Sequence, residues 1–276
     1  MATINGIVNV INKKYHLYPK VQTVKKNCVE FIGLCFHEGE QHIAPVIYVD
    51  RFLTDDFTDE EAAVYVKQCY DQAGIDIDID IFKDPTYIRE HLFLGLEKKG
   101  SDTKYLTRDS AFDDIIEYLY IRDEANVDGT FSVKMSSEHL KSVNITEEEA
   151  WRLASEHTSQ EIKIETMAEV LCSMMPDDAA IYDNIDDVPM YIFSNHLRMK
   201  GAAVVTNMDY VKQWAKAMGF DKIVIIFSSI HEVIILPADD NTDLDAISAM
   251  VVDVNKGCVA KEEQLAEKAF IFSVND

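Results

Sequence analysis

The chain has 276 residues, of which 47% are hydrophobic and 10% are aromatic, so it is long enough and apolar enough to bury a substantial core. Its 49 acidic and 26 basic residues give a formal net charge of −23, and a field of that sign repels phosphate backbones. The composition therefore excludes a disordered chain and predicts no direct binding to nucleic acid.

The first half of the sequence predicts a hairpin followed by helices. After a polar start, two strands at 29–36 and 43–52 flank a loop at 38–41 that contains a glycine. Capping signals and apolar residues at helical spacing predict three helices, at 58–73, 85–96 and 109–122. Between the first two helices, residues 75–80 alternate isoleucine with aspartate, which is a period of two.

The second half is more regular and alternates strands with helices. Strands are predicted at 130–135, 190–193, 201–206, 222–227, 232–236 and 269–274. Helices are predicted from a capping box at 146–149, and at 164–175, 209–218 and 242–255. The acidic stretch 177–187 reads as a polar loop.

This order of elements predicts an α+β fold made of two successive α+β halves. The sheets are expected to be mostly antiparallel or mixed, with helices packed on them. A turn signal at 126–129 places the boundary between the halves, which gives domains at 1–128 and 129–276. One continuous domain is the alternative.

Cysteine usage and hydropathy indicate the compartment. No run of about 18 apolar residues occurs, which predicts no membrane association, and the amino terminus does not resemble a secretory signal. The five cysteines lie far apart without a CxxC pair, as expected of reduced thiols. We therefore expect a cytoplasmic protein.

Cofactor and metal motifs are weak. The ten glycines are never closer than five residues apart, so no phosphate-binding loop and no cofactor are predicted. His37 and His42 are five apart, not the four that place two ligands on one helical face. Because they flank the predicted hairpin loop, they are the weak candidates for a metal site, and a charged surface turn is the alternative.

A hydroxyl, an imidazole and a carboxylate occur together in Ser228, Ser229, His231 and Glu232, between two apolar strands. These groups suggest a nucleophile, a base and an orienting acid, which makes Ser229 and His231 the weak catalytic candidates. Residues i and i+2 of a strand share a face, so these two side chains can meet, whereas Glu232 points the other way. We expect instead a turn that is stabilised by side-chain hydrogen bonds.

Several stretches together resemble an uncharacterised bacterial family, a domain of unknown function that is typical of anaerobic Clostridia-type gut bacteria. The stretches are 44–50, 137–141, 145–148, 189–191, 201–203 and 228–240. The most specific of them is Ser-Ser-Ile-His-Glu-Val, which begins at Ser228. The resemblance covers nearly the whole chain and implies a bacterial, cytoplasmic origin, but no activity, cofactor or catalytic residue.

Two classes of function remain open. The acidic surface and the lack of a catalytic signature favour a non-enzymatic binding or regulatory protein, such as an immunity or mobile-element accessory protein, with an unknown protein partner. A small hydrolase or transferase that uses Ser229 and His231 is one alternative. An acidic protein that mimics DNA is another.

Overall fold

A computed structural model describes residues 1–37, 45–72, 79–101, 104–124, 130–174 and 189–275. The chain forms two compact units, Met1–Ile81 and Phe82–Asp276, which we call unit 1 and unit 2. Among the described residues, no helix is both long enough and apolar enough to cross a membrane.

Unit 1 packs two helices against a three-stranded antiparallel sheet of order β1-β2-β3. Its elements are α1 (Ile4–Tyr15), β1 (Lys20–Lys26), β2 (Val29–Cys35), β3 (Val46–Tyr48) and α2 (Asp59–Gln72), with a 3-10 turn at Asp50–Phe52. The predicted helix 58–73 is confirmed as α2. Its capping box is reciprocal: the Glu61 N–H donates to the Thr58 hydroxyl (3.2 Å) and the Thr58 N–H donates to the Glu61 carboxylate (2.9 Å).

The predicted first hairpin is confirmed in part, because β2 and β3 pair antiparallel. Its loop at 38–41 and most of the alternation at 75–80 lie outside the described residues. The sequence analysis assigned no helix or strand to the polar start, which in the structure holds α1 and β1. Ile7 and Ile11 are both buried on one face of α1, and their spacing of four is a helical signal that the surrounding polar residues obscured.

Unit 2 begins within a 3-10 turn at Ile79–Lys83 and contains two antiparallel sheets. Its helices are α3 (Pro85–His91), α4 (Ser137–Ser142), α5 (Glu147–Gln160), α6 (Met167–Met174), α7 (Met208–Ala217) and α8 (Leu244–Cys258). Its strands are β4 (Leu92–Lys98), β5 (Thr107–Asp109), β6 (Ile115–Glu124), β7 (Thr130–Lys134), β8 (Lys163–Thr166), β9 (Tyr191–Ser194), β10 (Lys222–Phe227), β11 (Val233–Ala238) and β12 (Phe270–Ser273).

The larger sheet has the order β12-β10-β11-β9-β8, and the smaller one places β6 between β4 on one side and β5 and β7 on the other. Both sheets contribute to one apolar core. Phe112 lies at its centre, edge-on to Phe227, Phe270 and Phe272 with ring centroids 4.8, 5.3 and 5.6 Å away. The predicted α+β class with antiparallel sheets is confirmed.

One predicted helix of unit 2 is too long and another is wrong, because short apolar runs do not distinguish a buried helix from a buried strand. The helix predicted at 85–96 ends at His91, and the residues from Leu92 onward form β4. The helix predicted at 109–122 is mostly β6. Residues 115–122 are all buried, so this central strand has no polar face to show a period of two, and its β-branched and aromatic residues favour a strand.

Two further predicted elements differ from the structure. The helix predicted at 164–175 begins as β8, and α6 starts only after Thr166, whose hydroxyl accepts from the Glu169 N–H (3.2 Å) in a second capping box. The strand predicted at 201–206 is a buried 3-10 helix, Gly201–Thr206. The other predicted strands and helices of this half are confirmed with ends shifted by a few residues.

The predicted boundary between 128 and 129 lies within unit 2. Strands β6 and β7 lie on either side of that boundary and pair with each other in one sheet, with Ile121 opposite Val133. The turn signal at 126–129 falls in residues that the structure does not describe. A turn signal of this kind marks a connection within a hairpin as readily as a connection between domains.

Candidate functional site

The turn between β10 and β11 contains the predicted Ser229 and His231, and its hydroxyls bind the turn's own backbone. The Ser228 hydroxyl donates to the carbonyl of Glu232 (3.0 Å). The Ser229 hydroxyl accepts from the backbone N–H of His231 (3.0 Å). These hydrogen bonds are the kind by which serine side chains stabilise turns.

The imidazole of His231 holds a second segment of chain. Its Nδ1 accepts a hydrogen bond from the backbone N–H of Lys200 (3.2 Å), and its Nε2 lies 3.4 Å from a carboxylate oxygen of Glu263. Because Nδ1 acts as an acceptor, the neutral ring carries its proton on Nε2, which points it toward Glu263. Both ring nitrogens are therefore engaged outside the turn, which is not the arrangement of a base that activates Ser229.

The carboxylate of Glu232 does not join these groups. It lies 3.9 Å from the guanidinium of Arg198, which donates to Glu165 at 2.6 Å. Ser229 therefore contacts the backbone of His231, whereas the Ser229 hydroxyl, the His231 imidazole and the Glu232 carboxylate each bind different groups and do not form a catalytic triad.

The segment that His231 holds, residues 194–201, is closely specified by its own contacts. The amide side chain of buried Asn195 binds Met199 twice, accepting from its N–H (3.1 Å) and donating to its carbonyl (2.9 Å). Arg198 and Lys200 have left-handed backbones, with φ of 50° and 55°. Such conformations in residues other than glycine persist only where surrounding contacts enforce them, and they cluster at functional sites.

Gly201 closes this segment against the hairpin turn. A Cβ atom there would lie 2.6 Å from the backbone nitrogen of Asn195 and 2.7 Å from the carbonyl oxygen of His231. That same carbonyl accepts from the Ser194 hydroxyl (2.8 Å), and the next residue, Ala202, donates its N–H to Ile230 (3.2 Å). The turn and the segment 194–201 therefore form one hydrogen-bonded body.

Lys200 extends from this body toward a group of charged and aromatic residues that we call the cation–tyrosine cluster. Its members are Glu97, Tyr118, Tyr120, Arg122, Lys134, Glu161 and Lys200. The ammonium of Lys200 lies 4.8 Å from the ring centroid of Tyr120, and that of Lys134 lies 4.6 Å from the centroid of Tyr118. Gly95 has no side chain and lies opposite Tyr118, which gives that ring its place: a Cβ on Gly95 would be 2.3 Å from the ring.

The ion pairs of the cluster are partly buried. Lys134 pairs with Glu97, and Arg122 pairs with Glu161 while its guanidinium lies 4.0 Å from the ring centroid of Phe93. Only 7% of Arg122 is exposed. Its second terminal nitrogen, Nη1, is buried and has no hydrogen-bond partner within the part of the chain that the structure describes.

Burial raises the pKa of both tyrosines of the cluster. It raises the pKa of Tyr118 well above the ordinary 10, and the charge of Glu97 acts in the same direction. Burial also raises the pKa of Tyr120 to about 12, against the opposing effect of Arg122. At neutral pH both phenols therefore keep their O–H donors.

Sequence reasoning missed this cluster because it assigned β6 to a helix. Tyr118, Tyr120 and Arg122 alternate with period two, which places all three on one face of a strand. The same spacing gives no common face on a helix, so only the correct strand assignment could have revealed the cluster.

The predicted metal candidates are not brought together by the described residues. His37 is exposed just after β2, and His42 lies outside the described residues. The residues that the structure describes contain no group of three or more histidine, cysteine, aspartate or glutamate side chains arranged to hold a metal ion.

Helix α8 presents an apolar surface that sequence reasoning did not single out. Its inner face buries Val251 and Asn255, and the Asn255 amide donates to the carbonyl of Ala266 (2.9 Å). On its outer face, 64% of Met250 and 52% of Val254 are exposed. Exposed Ala246, Ala249 and Gly257 continue the same stripe at helical spacing. We call these five residues the α8 stripe.

The fold and these features define an acidic α+β protein with antiparallel sheets, an internal cation–tyrosine cluster and an exposed apolar helix face. The chain belongs to the DUF5688 family, a family of unknown function whose model matches residues 5–274. No curated protein and no solved structure matches the chain.

Proposed function

We propose that the chain is a non-enzymatic binding protein that captures a basic protein partner on the α8 stripe. The observation that carries this proposal is the exposure of Met250 and Val254 side by side, one turn apart, on a well-formed helix of 15 residues. Single exposed apolar residues are common on protein surfaces, whereas a contiguous stripe on one helix face is typical of an interaction surface.

The charge of the chain selects among possible occupants of the stripe. A second copy would bring another formal charge of −23 to the interface, and a nucleic acid would bring phosphates, so both are repelled. A partner with an apolar face and lysine or arginine around it is attracted. Exposed Asp243 and Asp245 lie at the start of α8 and supply local carboxylates, although Asp253 is already paired with Lys256 (3.3 Å).

The hairpin turn supports binding over catalysis. The hydroxyls of Ser228 and Ser229 and both ring nitrogens of His231 are used in contacts that hold the backbone. A regulatory protein of the immunity or mobile-element accessory kind acts by binding alone, and the proposal places this chain in that class, in the bacterial cytoplasm.

Calorimetric titration with a defined probe tests the proposal. The probe is a synthetic amphipathic helical peptide with a leucine stripe bordered by lysines, and its counterpart carries glutamates instead. We expect the lysine peptide to bind at physiological salt and the glutamate peptide not to bind. The double substitution Met250→Asp with Val254→Asp should weaken binding about tenfold or more, because it places two charges in the apolar contact.

Met218→Asp is the matched control, because Met218 is also an exposed methionine (44%) beside the end of a helix but lies outside the stripe. It should bind like the wild type. Failure of the lysine peptide to bind, or equal binding by the double variant, contradicts the proposal. The same titration separates the DNA-mimic alternative. A DNA mimic binds the lysine peptide by charge alone, so the double variant should not weaken its binding.

A further inference from the structure

The cation–tyrosine cluster places a nearly buried guanidinium, that of Arg122, among tyrosine rings and further charged groups. Two of its cations are paired with its two carboxylates, Arg122 with Glu161 and Lys134 with Glu97. We propose that this cluster binds a small oxyanion of the phosphate or carboxylate class.

The guanidinium of Arg122 supplies the strongest reason. It is almost fully buried, it uses one terminal nitrogen on Glu161, and its Nη1 makes no hydrogen bond to the described residues. A buried charged donor without an acceptor is costly and is rare in native proteins, so each case requires an explanation. An oxyanion provides the acceptor that Nη1 lacks, and guanidinium groups favour such ligands.

The neighbours of Arg122 add donors. Tyr118 and Tyr120 carry phenolic protons at neutral pH, as a tyrosine with the ordinary pKa of 10 does, and burial raises the pKa of each further. The ammonium groups of Lys134 and Lys200 lie over the two rings. Acceptor oxygens complement guanidinium, ammonium and phenol donors, whereas a cation or an apolar ligand does not.

The cluster is also accessible from one side. The side chains of Lys134 and Glu161 retain 22% and 28% exposure, so solvent reaches the rim of the cluster while its floor, Tyr118 and Tyr120, is buried.

The position of Lys200 is built by the fold. Its left-handed backbone is held by the hydrogen bond from its N–H to His231 Nδ1, and the adjoining Gly201 leaves no freedom for the segment. Because of this hydrogen bond, His231 is a positioning residue that acts through the Lys200 backbone. This inference does not depend on the α8 stripe, because the two surfaces share no residue.

Thermal unfolding and calorimetry with inorganic phosphate test the proposal, with acetate as a carboxylate probe and sodium chloride at equal ionic strength as the reference. We expect phosphate, acetate or both to raise the unfolding midpoint of the wild type beyond chloride. The two arms show which oxyanion the cluster prefers. No stabilisation beyond chloride by either anion overturns the proposal.

Two variants locate the site. Lys200→Gln should weaken anion binding about tenfold, because it removes a charged donor. Lys216→Gln, on α7, removes the same charge outside the cluster and should bind like the wild type. Arg122→Lys keeps the charge but loses the forked donor and should also weaken binding. Equal anion binding by wild type, Lys200→Gln and Lys216→Gln overturns the proposal even if Arg122→Lys fails to fold.

Discussion

The hairpin turn at Ser228–Glu232 and the outer face of α8 are opposites in how they use their side chains. The turn contains residues that commonly perform catalysis, yet its hydroxyls and its imidazole are bound to backbone groups and to Glu263. The α8 face contains Met250 and Val254, which have no intrinsic chemistry and remain exposed. Residue type alone would rank the turn above the helix as a functional site, and the contacts reverse that ranking.

The segment 194–201, which the hairpin turn holds, is tightly constrained. It carries two left-handed residues, a buried asparagine that closes a loop, and a glycine with no room for a side chain. The hairpin turn holds that segment through His231, and the segment fixes the backbone position of Lys200. The α8 face, by contrast, needs only a stable helix beneath it.

The largest expected contrast comes from two glycines, Gly201 in the segment that the turn holds and Gly257 in α8. Gly201→Ala places a methyl group within 2.7 Å of two backbone atoms and should lower the free energy of unfolding by about 2–3 kcal/mol. Gly257→Ala, within α8, meets nothing within 4 Å and should raise it by about 0.5–1 kcal/mol. Chemical denaturation of both variants measures the contrast, and equal effects would show that the segment adapts more easily than its contacts indicate.

A smaller loss is expected from the turn itself. His231→Ala removes the acceptor of the Lys200 N–H and should cost about 1–3 kcal/mol, whereas Ser229→Ala should cost about 0.5–1.5 kcal/mol. His231→Asn provides an amide oxygen as an acceptor and should recover part of the loss. Denaturant midpoints test the order of the three variants. An unchanged midpoint in His231→Ala, together with loss of an activity found by substrate screening, would favour the hydrolase or transferase alternative instead.

A pH-dependent effect is expected at Glu117, in the interior of unit 2. Burial raises the pKa of its carboxyl from the ordinary 4.5, and the Arg108 guanidinium opposes that shift. A carboxyl whose pKa is higher in the folded protein makes the fold less stable as pH rises between the unfolded and folded values. Glu117→Gln should therefore raise the unfolding midpoint at about pH 7, and the gain should nearly vanish at about pH 4.

The control for that experiment is Glu149→Gln. Its partner Arg89 holds the pKa of the half-buried Glu149 carboxyl below the ordinary value, so this variant should lose stability at neutral pH and approach the wild type at low pH. A lower midpoint for Glu117→Gln at about pH 7 would mean that the Arg108 pair outweighs the cost of burial.

The smallest stability effect is expected on the α8 stripe. Met250→Asp and Val254→Asp alter exposed side chains and should each change the free energy of unfolding by no more than about 0.5 kcal/mol. Denaturation curves check this directly. A large loss for either variant would show that the stripe is packed in the folded chain and is not available to a partner.

The sequence predicted much of the fold because capping boxes, turn residues and apolar spacing are local signals. Helix α2 was found from Thr58 and Glu61, and the β10–β11 hairpin from two apolar runs around a serine turn. The failure at β6 lies where burial is complete: residues 115–122 are all buried, so the strand lacks an exposed polar face, and its apolar residues also fit a helical stripe.

The candidate sites followed the same division. The sequence placed Ser229 and His231 near each other but could not show that the imidazole contacts Lys200, which is 31 positions away. The cation–tyrosine cluster joins strands β4, β6 and β7 with α5 and the segment 194–201, so it arises only from tertiary packing. The α8 stripe required knowing which helix face is covered.

The central claim is that His231 holds the backbone of Lys200 and does not serve as a base. Long-range proton–nitrogen correlation NMR of the imidazole measures this most directly, because it reports which ring nitrogen carries the proton. We expect the neutral ring to be a single Nε2–H tautomer, with the Nδ1 signal shifted as for a hydrogen-bond acceptor. A ring protonated on Nδ1, or one that exchanges rapidly between tautomers as in free histidine, would contradict it.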